Sequence, residues 1–558
     1  MCGIFSLLLD NKTKLTKDQV REYFNRIQGR GPEDSKFISF ENYYKLYLGF
    51  HRLRINDISD EGNQPFYEKY FQKEFYCVTN GEIYNYKKLA KEYNIELKSK
   101  SDCEIILKLY LKIGYKVFNL LDGVFAGVII CYDKLNDNYT LTGFRDRYGV
   151  RPLYFGMNNG DKLEYGFCSE LKGLSGLFEN IRQFEPGCIY RVDTKDMLLV
   201  KQRYCNNYFK LNKLGEKNEK SYEQILLDVK EKLILAVKKR MMSDRPMCCL
   251  LSGGLDSSLV ASILARESKE PITTFCIGLE GGSDFKYAKM VANYIKSNHY
   301  EIVLKKDDFL NAIPKVIETI ESYDITTVRA STGQYLICKY ISENTDFKVV
   351  YIGDGSDEVT GGYKYFVNAP SEEEFNRECK RLTSDIHYYD GLRADRAVSC
   401  HGLETRVPFL DKEFVSYYLG VPLKYRYEET KKGNEKYLLR KAFEGYLPEE
   451  VLWRQKEAFS DGVSKKSKKS EKSEKDESWY SIIQNYVKTK VSVEEYEREK
   501  GKYSYLMPYS VESYYYRKIF SDKYNGCYNY DRVVPYFWLP KWVGNELEPS
   551  ARVLDVYK

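Results

Sequence analysis

Cys248-Cys249-Leu250-Leu251-Ser252-Gly253-Gly254-Leu255-Asp256-Ser257-Ser258 is the stretch on which the reading of this chain turns. Its apolar start reads as a buried strand that stops at Ser-Gly-Gly, and a helix is expected where the chain continues through Leu259-Val260-Ala261. A strand, a glycine turn and a helix N-terminus aim free backbone N–H groups and a positive helix end at one point, which makes an anion site. Gly253 and Gly254 let the backbone approach a ligand closely, and Ser252, Ser257 and Ser258 add hydroxyl donors. Asp256 would repel a bare phosphate, so it calls for a metal ion between carboxylate and phosphates. A lone Ser-Gly-Gly would be an ordinary helix-capping turn. The whole run after an apolar strand is more than that.

Around this stretch, apolar segments alternate with amphipathic ones. Ile225 to Met242 carries apolar residues at helical spacing; Thr273 to Ile277 is followed by Ala288 to Ile295, and Tyr300 to Leu304 by Phe309 to Ile320, before Lys348 to Ile352. The alternation predicts a parallel sheet covered by helices. Ligands of such sheets sit beyond the strand carboxyl ends, where Ser252 and Gly353 fall.

The 558 residues are too many for one core, so at least two domains are expected. A formal charge of +6 with no basic, aromatic-interleaved stripe argues against nucleic acid. Fourteen scattered cysteines without a C-x-x-C pair fit free thiols in a reducing, cytoplasmic setting. His51, His299, His387 and His401 are dispersed, which disfavours a transition-metal site. The apolar run Ile4 to Leu9 is too short for a membrane span and lacks the basic start of a signal peptide. The 52 tyrosines follow no repeat and read as compositional bias.

Cys2 becomes the N-terminus once Met1 is removed, and its own α-amine, titrating near ~8, then serves as base for its thiol. Taken alone, Cys2 reads equally as the start of a buried strand. His51-Arg52-Leu53-Arg54-Ile55-Asn56-Asp57 follows an apolar stretch and offers guanidinium groups at a strand end. In Tyr76 to Asn85, Asn80-Gly81 is either a hairpin turn or a two-donor oxyanion hole. Ser101-Asp102-Cys103-Glu104 opens a helix, with Ser101 as N-cap and Glu104 three residues on.

Cys2-Gly3-Ile4, Arg30-Gly31-Pro32, His51-Arg52-Leu53, Asn80 to Asn85, Ser101-Asp102 and Arg145 to Tyr154 together resemble the class II glutamine amidotransferases. The resemblance implies an α+β N-terminal-nucleophile sandwich (αββα) over residues 2–205, in which Cys2 attacks the glutamine side-chain amide. It further implies Asn80 and Gly81 as oxyanion donors, Arg52 against the substrate carboxylate and Asp102 against its ammonium. Leu53, Arg54, Ile55, Asn56 and Glu82 would complete the glutamine pocket. The chain departs from the pattern at Gly29, where histidine is usual, and at Glu33, where aspartate is usual.

A polar passage at 206–221 reads as a linker. Beyond it, the opening stretch, Thr326-Thr327-Val328-Arg329, Gly353-Asp354-Gly355-Ser356-Asp357-Glu358, Arg406-Val407-Pro408-Phe409-Leu410-Asp411 and Trp453-Arg454-Gln455-Lys456-Glu457 resemble the synthetase domain of glutamine-dependent asparagine synthetases. These belong to the ATP-pyrophosphatase group, an α/β class with a mostly parallel, Rossmann-like sheet, here covering 222–558. The resemblance implies ATP-binding by Leu251, Ser252, Gly253, Gly254, Leu255, Asp256, Ser257, Ser258, Ile277, Ile352 and Gly353. Mg2+ bound with ATP would sit on Asp256 and Asp357, and Lys456 would neutralise the phosphates. Thr327, Arg329 and Arg393 are the candidates for aspartate. Asp354 stands where the family has the glutamate that takes a proton from ammonia; its carboxylate reaches roughly 1.5 Å less far. The Lys/Ser/Glu tract at 464–477 matches nothing in the family and reads as a disordered insertion.

Glutamine, aspartate and ATP are therefore the expected small-molecule partners, with no nucleic acid and no membrane, and a homodimer is compatible with this reading. Two other readings compete: a relative with a different acceptor, including the lactam-forming kind, and a catalytically weakened binding protein. Cys2 disfavours the lactam-forming kind, and the intact motifs disfavour the binding protein.

Overall fold

The computed structural model describes residues 1–41, 44–159, 163–205, 220–455, 479–525 and 529–544. The linker but for Lys220 and Ser221, all of 464–477, and Lys456 lie outside the described residues.

Among the described residues, the first half holds twelve strands: β1 (Gly3–Asp10), β2 (Asp34–Glu41), β3 (Tyr44–Arg52), β4 (Phe66–Tyr70), β5 (Lys73–Ile83), β6 (Gly123–Asp133), β7 (Asn138–Arg145), β8 (Tyr154–Asn159), β9 (Leu163–Cys168), β10 (Asn180–Gln183), β11 (Cys188–Asp193) and β12 (Leu199–Arg203). They make two six-stranded antiparallel sheets, ordered β10-β8-β9-β1-β3-β2 and β12-β11-β7-β6-β5-β4. The run Gly3-Ile4-Phe5-Ser6-Leu7-Leu8-Leu9 is apolar but for the buried Ser6, because both faces of β1 are covered. Ile4 and Leu8 pack between the sheets against Leu48, Val78 and Val128, while Phe5, Leu7 and Leu9 face the opposite side with Phe24 and Tyr47. A second apolar layer, with Cys77, Ile129 and Phe144, packs on Ile105, Ile106 and Leu109 of the helix Glu104–Ile113.

The second half holds a five-stranded parallel sheet, ordered β15-β14-β13-β16-β17, with β13 (Met247–Leu250), β14 (Thr273–Leu279), β15 (Asn298–Leu304), β16 (Val349–Tyr351) and β17 (Glu404–Arg406). Cys248 and Cys249 are fully buried at its centre. The helix after Ser-Gly-Gly begins at Leu255, four residues before the Leu259-Val260-Ala261 run. Among the described residues, no helix is long and apolar enough to cross a membrane.

Two local expectations are corrected. Ser101 is not the N-cap of the following helix: Cys103 is, with no side-chain cap bond. The Glu104 carboxylate instead accepts from the backbone N–H groups of Lys98 and Ser99 at 2.8–3.1 Å, so it fixes the loop before the helix. Asn80-Gly81 is not a turn either, since β5 runs straight through it with Asn80 opposite Ala126 and Gly81 opposite Phe125.

The halves share a buried interface. Arg30 donates to the Cys2 carbonyl at 2.9 Å, to Glu170 at 2.9 Å and to Asp395 at 2.7 Å, the last on the helix Asp390–Ser399 of the second half. Arg396 of that helix bonds the Ser169 carbonyl at 2.9 Å, and Lys239 pairs with Asp122 at 2.8 Å.

Candidate active site

Cys2 lies where β1 begins. Its backbone N–H donates to Asn80 Oδ1 at 3.0 Å, and its thiol lies 3.7 Å from the Leu53 carbonyl. Burial pushes the thiol pKa up. The Asn80 amide thus spends its oxygen on Cys2, while its Nδ2 is buried with no hydrogen-bond partner. A buried amide donor costs free energy when left unpaired, so an orphan beside a nucleophile is a ready oxyanion donor. At Gly81 a Cβ would lie 2.5 Å from the Val124 carbonyl oxygen; only glycine lets β5 and β6 approach this closely.

Asp102 accepts from Ile83 N–H at 2.5 Å and Asn56 Nδ2 at 3.2 Å, and burial raises its pKa to about 6. Asn56 also donates to Glu82, whose carboxyl is pushed well up by burial. Arg52 donates to the Ser59 carbonyl and Asn63 Oδ1, both at 2.7 Å, and to the Asp57 carbonyl. Arg54 turns away: its guanidinium binds Asp34 and Asp60 at 2.6 Å each near the surface. Glu33, at the departure from the family loop, accepts the Arg54 backbone N–H at 2.6 Å and pairs with Arg245 at 3.2 Å. His51 stacks on Phe24 and its two nitrogens meet Ser35 and the Phe24 carbonyl; burial lowers it to about 4. It is a core histidine.

A second site opens at the carboxyl ends of β13 and β16, a cavity of about 270 Å³. It brings together Leu251, Ser252, Gly254, Leu255, Asp256, Ser257, Ile277, Ile352, Gly353, Asp354, Asp357, Arg329 and Arg393. Gly253 and Ser258 support it from behind. Gly253 has φ +71° and would place a Cβ 2.4 Å from Ala288 N, and Ser258 is fully buried in the helix. Gly353 lets its loop touch the glycine turn, since a Cβ there would meet Ser257 N at 2.7 Å. Asp354 pairs with Arg393 at 2.9 Å and accepts from Gln334 at 3.4 Å.

Thr327 does not line this cavity. Its hydroxyl bonds Asp324, the N-cap of the helix Ile325–Asn344, at 2.7 Å, whereas the neighbouring Thr326 lines the wall. Arg329 does line it but is held by Glu512 through two bonds, at 2.8 and 2.6 Å. Lys436, which motif reading passed over, sits between Asp256 and Asp357 at 2.7 and 2.6 Å. No periodicity marks it, and the contact with Asp256 spans 180 residues of chain, so the sequence holds no local signal for it.

A family model described as Glutamine amidotransferase domain matches residues 1–178, and one described as Asparagine synthase matches 228–374 and 367–481. The glutamine-hydrolysing asparagine synthetases of Cricetulus griseus and Homo sapiens are each 42% identical to this chain, covering 96% of it and 95% of their own length. That of Gallus gallus is 40% identical, covering 100% of this chain and 99% of its own length. The chain belongs to the glutamine-hydrolysing asparagine synthetase family. Within this family frame, the sandwich carrying Cys2 corresponds to the amidotransferase match, and the parallel sheet with its cavity to the asparagine synthase match.

Met1, which precedes Cys2, is fully buried. Its amine donates to the Leu403 carbonyl at 3.0 Å and its sulfur lies 2.7 Å from Arg151. Burial lowers that amine to about 5. Leu403 precedes β17, whose Arg406 carbonyl accepts the Ile352 N–H at 3.1 Å, one peptide before Gly353-Asp354. Arg406 also pairs with Glu82 at 3.4 Å, so β5 and β17 are tied directly.

Proposed function

We propose that this chain makes L-asparagine from L-aspartate and ATP with ammonia taken from L-glutamine. With Met1 removed, the Cys2 amine takes the thiol proton and the thiolate attacks the glutamine amide carbon. Asn80 Nδ2 and Gly81 N–H hold the charge that develops on oxygen, ammonia leaves, and water releases glutamate from the thioester. Asp102 holds the substrate ammonium and Arg52 its carboxylate.

In the cavity, an aspartate β-carboxylate oxygen attacks the α-phosphorus of ATP, the bond to the β-phosphate oxygen breaks, and pyrophosphate leaves. Ammonia then attacks the acyl carbon of β-aspartyl-AMP and AMP departs. Ser252, Gly254 and Ser257 cradle the phosphates, and Leu251, Ile277, Ile352 and Gly353 bracket the adenosine; Lys456 is the motif's candidate for added positive charge. Asp354 takes the proton from attacking ammonia, with Arg393 holding its carboxylate. Arg329 faces the aspartate. Asp256 and Asp357 suit Mg2+: both already converge on one cation, the Lys436 ammonium, and magnesium is commonly held by one or two carboxylates plus nucleotide phosphates. When bound, it neutralises charge on those phosphates. Asp256 and Asp357 would hold it.

The observation that carries the reading is the orphaned Asn80 amide beside Cys2, in a chain whose second half carries the glycine-turn cavity. Incubation with glutamine, ATP, Mg2+ and candidate acids, following glutamate, pyrophosphate and asparagine, tests it. Pyrophosphate without asparagine would contradict it, and no glutamate release would favour a binding protein.

A further inference from the structure

Lys436 is built into its place by three independent features. Its ammonium lies 2.7 Å from both Asp256 oxygens and 2.6 Å from Asp357, and the residue is 2% exposed. Its backbone is left-handed, φ +58°, in a residue that is not glycine. Such strain persists only where the surroundings over-determine it. Here Arg440 supplies the constraint, donating to the carbonyl of Glu435 at 2.9 Å and to its carboxylate at 2.6 Å. Finally, the lysine stem passes over Gly362, where a Cβ would lie 1.9 Å from Lys436 Cε and 2.4 Å from Asp357 Oδ1. The glycine is what leaves room for the ammonium.

We propose that Lys436 is a positioning residue of the nucleotide site: a resident cation that holds Asp256 and Asp357 in register and reserves their carboxylates for a metal that arrives with ATP. The inference rests on the metal–nucleotide reading above. Two carboxylates facing one point repel each other and attract any cation. The fixed ammonium satisfies both, so a divalent ion approaching by itself meets a like charge at short range, where screening by solvent is weak. The nucleotide phosphates supply the further negative charge that lets the metal in. The site therefore binds metal–ATP and discriminates against free metal.

Manganese, a magnesium surrogate read by electron paramagnetic resonance, tests this on the full-length protein. The wild type is expected to bind Mn2+ weakly without nucleotide and tightly with ATP. Lys436→Met should tighten nucleotide-free Mn2+ binding on the order of tenfold or more, and Lys436→Arg, which keeps the charge, should not. Lys436→Gln replaces Lys436→Met if circular dichroism shows the latter unfolded. Equal nucleotide-free affinity in the wild type and the uncharged variant would overturn the inference, as would Lys436→Arg behaving like Lys436→Met. Wild-type binding that ATP does not strengthen would instead overturn the metal–nucleotide reading beneath it.

Discussion

Asn80 divides its amide between two tasks: the oxygen holds the Cys2 backbone at 3.0 Å and the nitrogen is left for substrate. Asn80→Ala is therefore expected to lower glutamine-dependent synthesis by ~10²–10³-fold, while synthesis from added ammonia continues; steady-state assays with each donor check this. Asp102 gives a pH signature. Burial raises it to about 6, so it is ionised above that pH and protonated below. If it holds the substrate ammonium, kcat/KM for glutamine should fall about tenfold per unit below that pH. At Asp354 the shorter carboxylate already leans on Arg393. Misplacement by ~1 Å can cost ~100-fold in rate, so Asp354→Glu should speed amide formation and leave ATP–pyrophosphate exchange unchanged. Identical rates in both steps would remove any cost of the substitution. The glycine turn between a buried strand and a helix is legible because it is written in adjacent residues, whereas Cys2 and Asn80 lie 78 residues apart and each alone also reads as ordinary strand or turn. Lys436 is not legible, because its partners come from distant segments.

Strands β1, β13 and β14 were readable from their apolar runs, since a strand covered on both faces has no polar alternation to obscure it. The helix Ile325–Asn344 was not. It buries residues all round, including Thr327, Arg329, Ser331, Thr332 and Gln334, so it shows no amphipathic stripe. Ser331 and Thr332 are satisfied inside the fold, by carbonyls one turn back at 2.6 and 3.0 Å. Arg329 is satisfied from another element: Glu512, on the helix Val511–Tyr524, is fully buried against it. Glu512→Ala would remove both charge-assisted hydrogen bonds that it makes to that buried guanidinium, a loss of about 1.5–3 kcal/mol. Urea unfolding should show a lower midpoint at unchanged slope. A midpoint within error of the wild type would mean that these two bonds add nothing to stability.

Across the whole molecule, the resemblance foresaw two kinds of domain but not how they are joined. The junction is made by contacts hundreds of residues apart, such as Arg30 to Asp395, and no local pattern encodes them. Arg30 touches the Cys2 carbonyl and the helix Asp390–Ser399 at once, and that helix supplies Arg393 to Asp354. The two sites thus share one connection through buried charge. Such a junction suits ammonia, which in open water near neutral pH would mostly be protonated and lost as a nucleophile. If glutamine nitrogen passes from Cys2 to the aspartyl adenylate within the protein, it does not mix with bulk ammonium. Synthesis run with amide-15N glutamine in a large excess of unlabelled ammonium, with mass spectrometry of the asparagine formed, tests it most directly. Asparagine whose label stays close to that of the glutamine is the predicted result; asparagine carrying the isotopic composition of the bulk ammonium would contradict it.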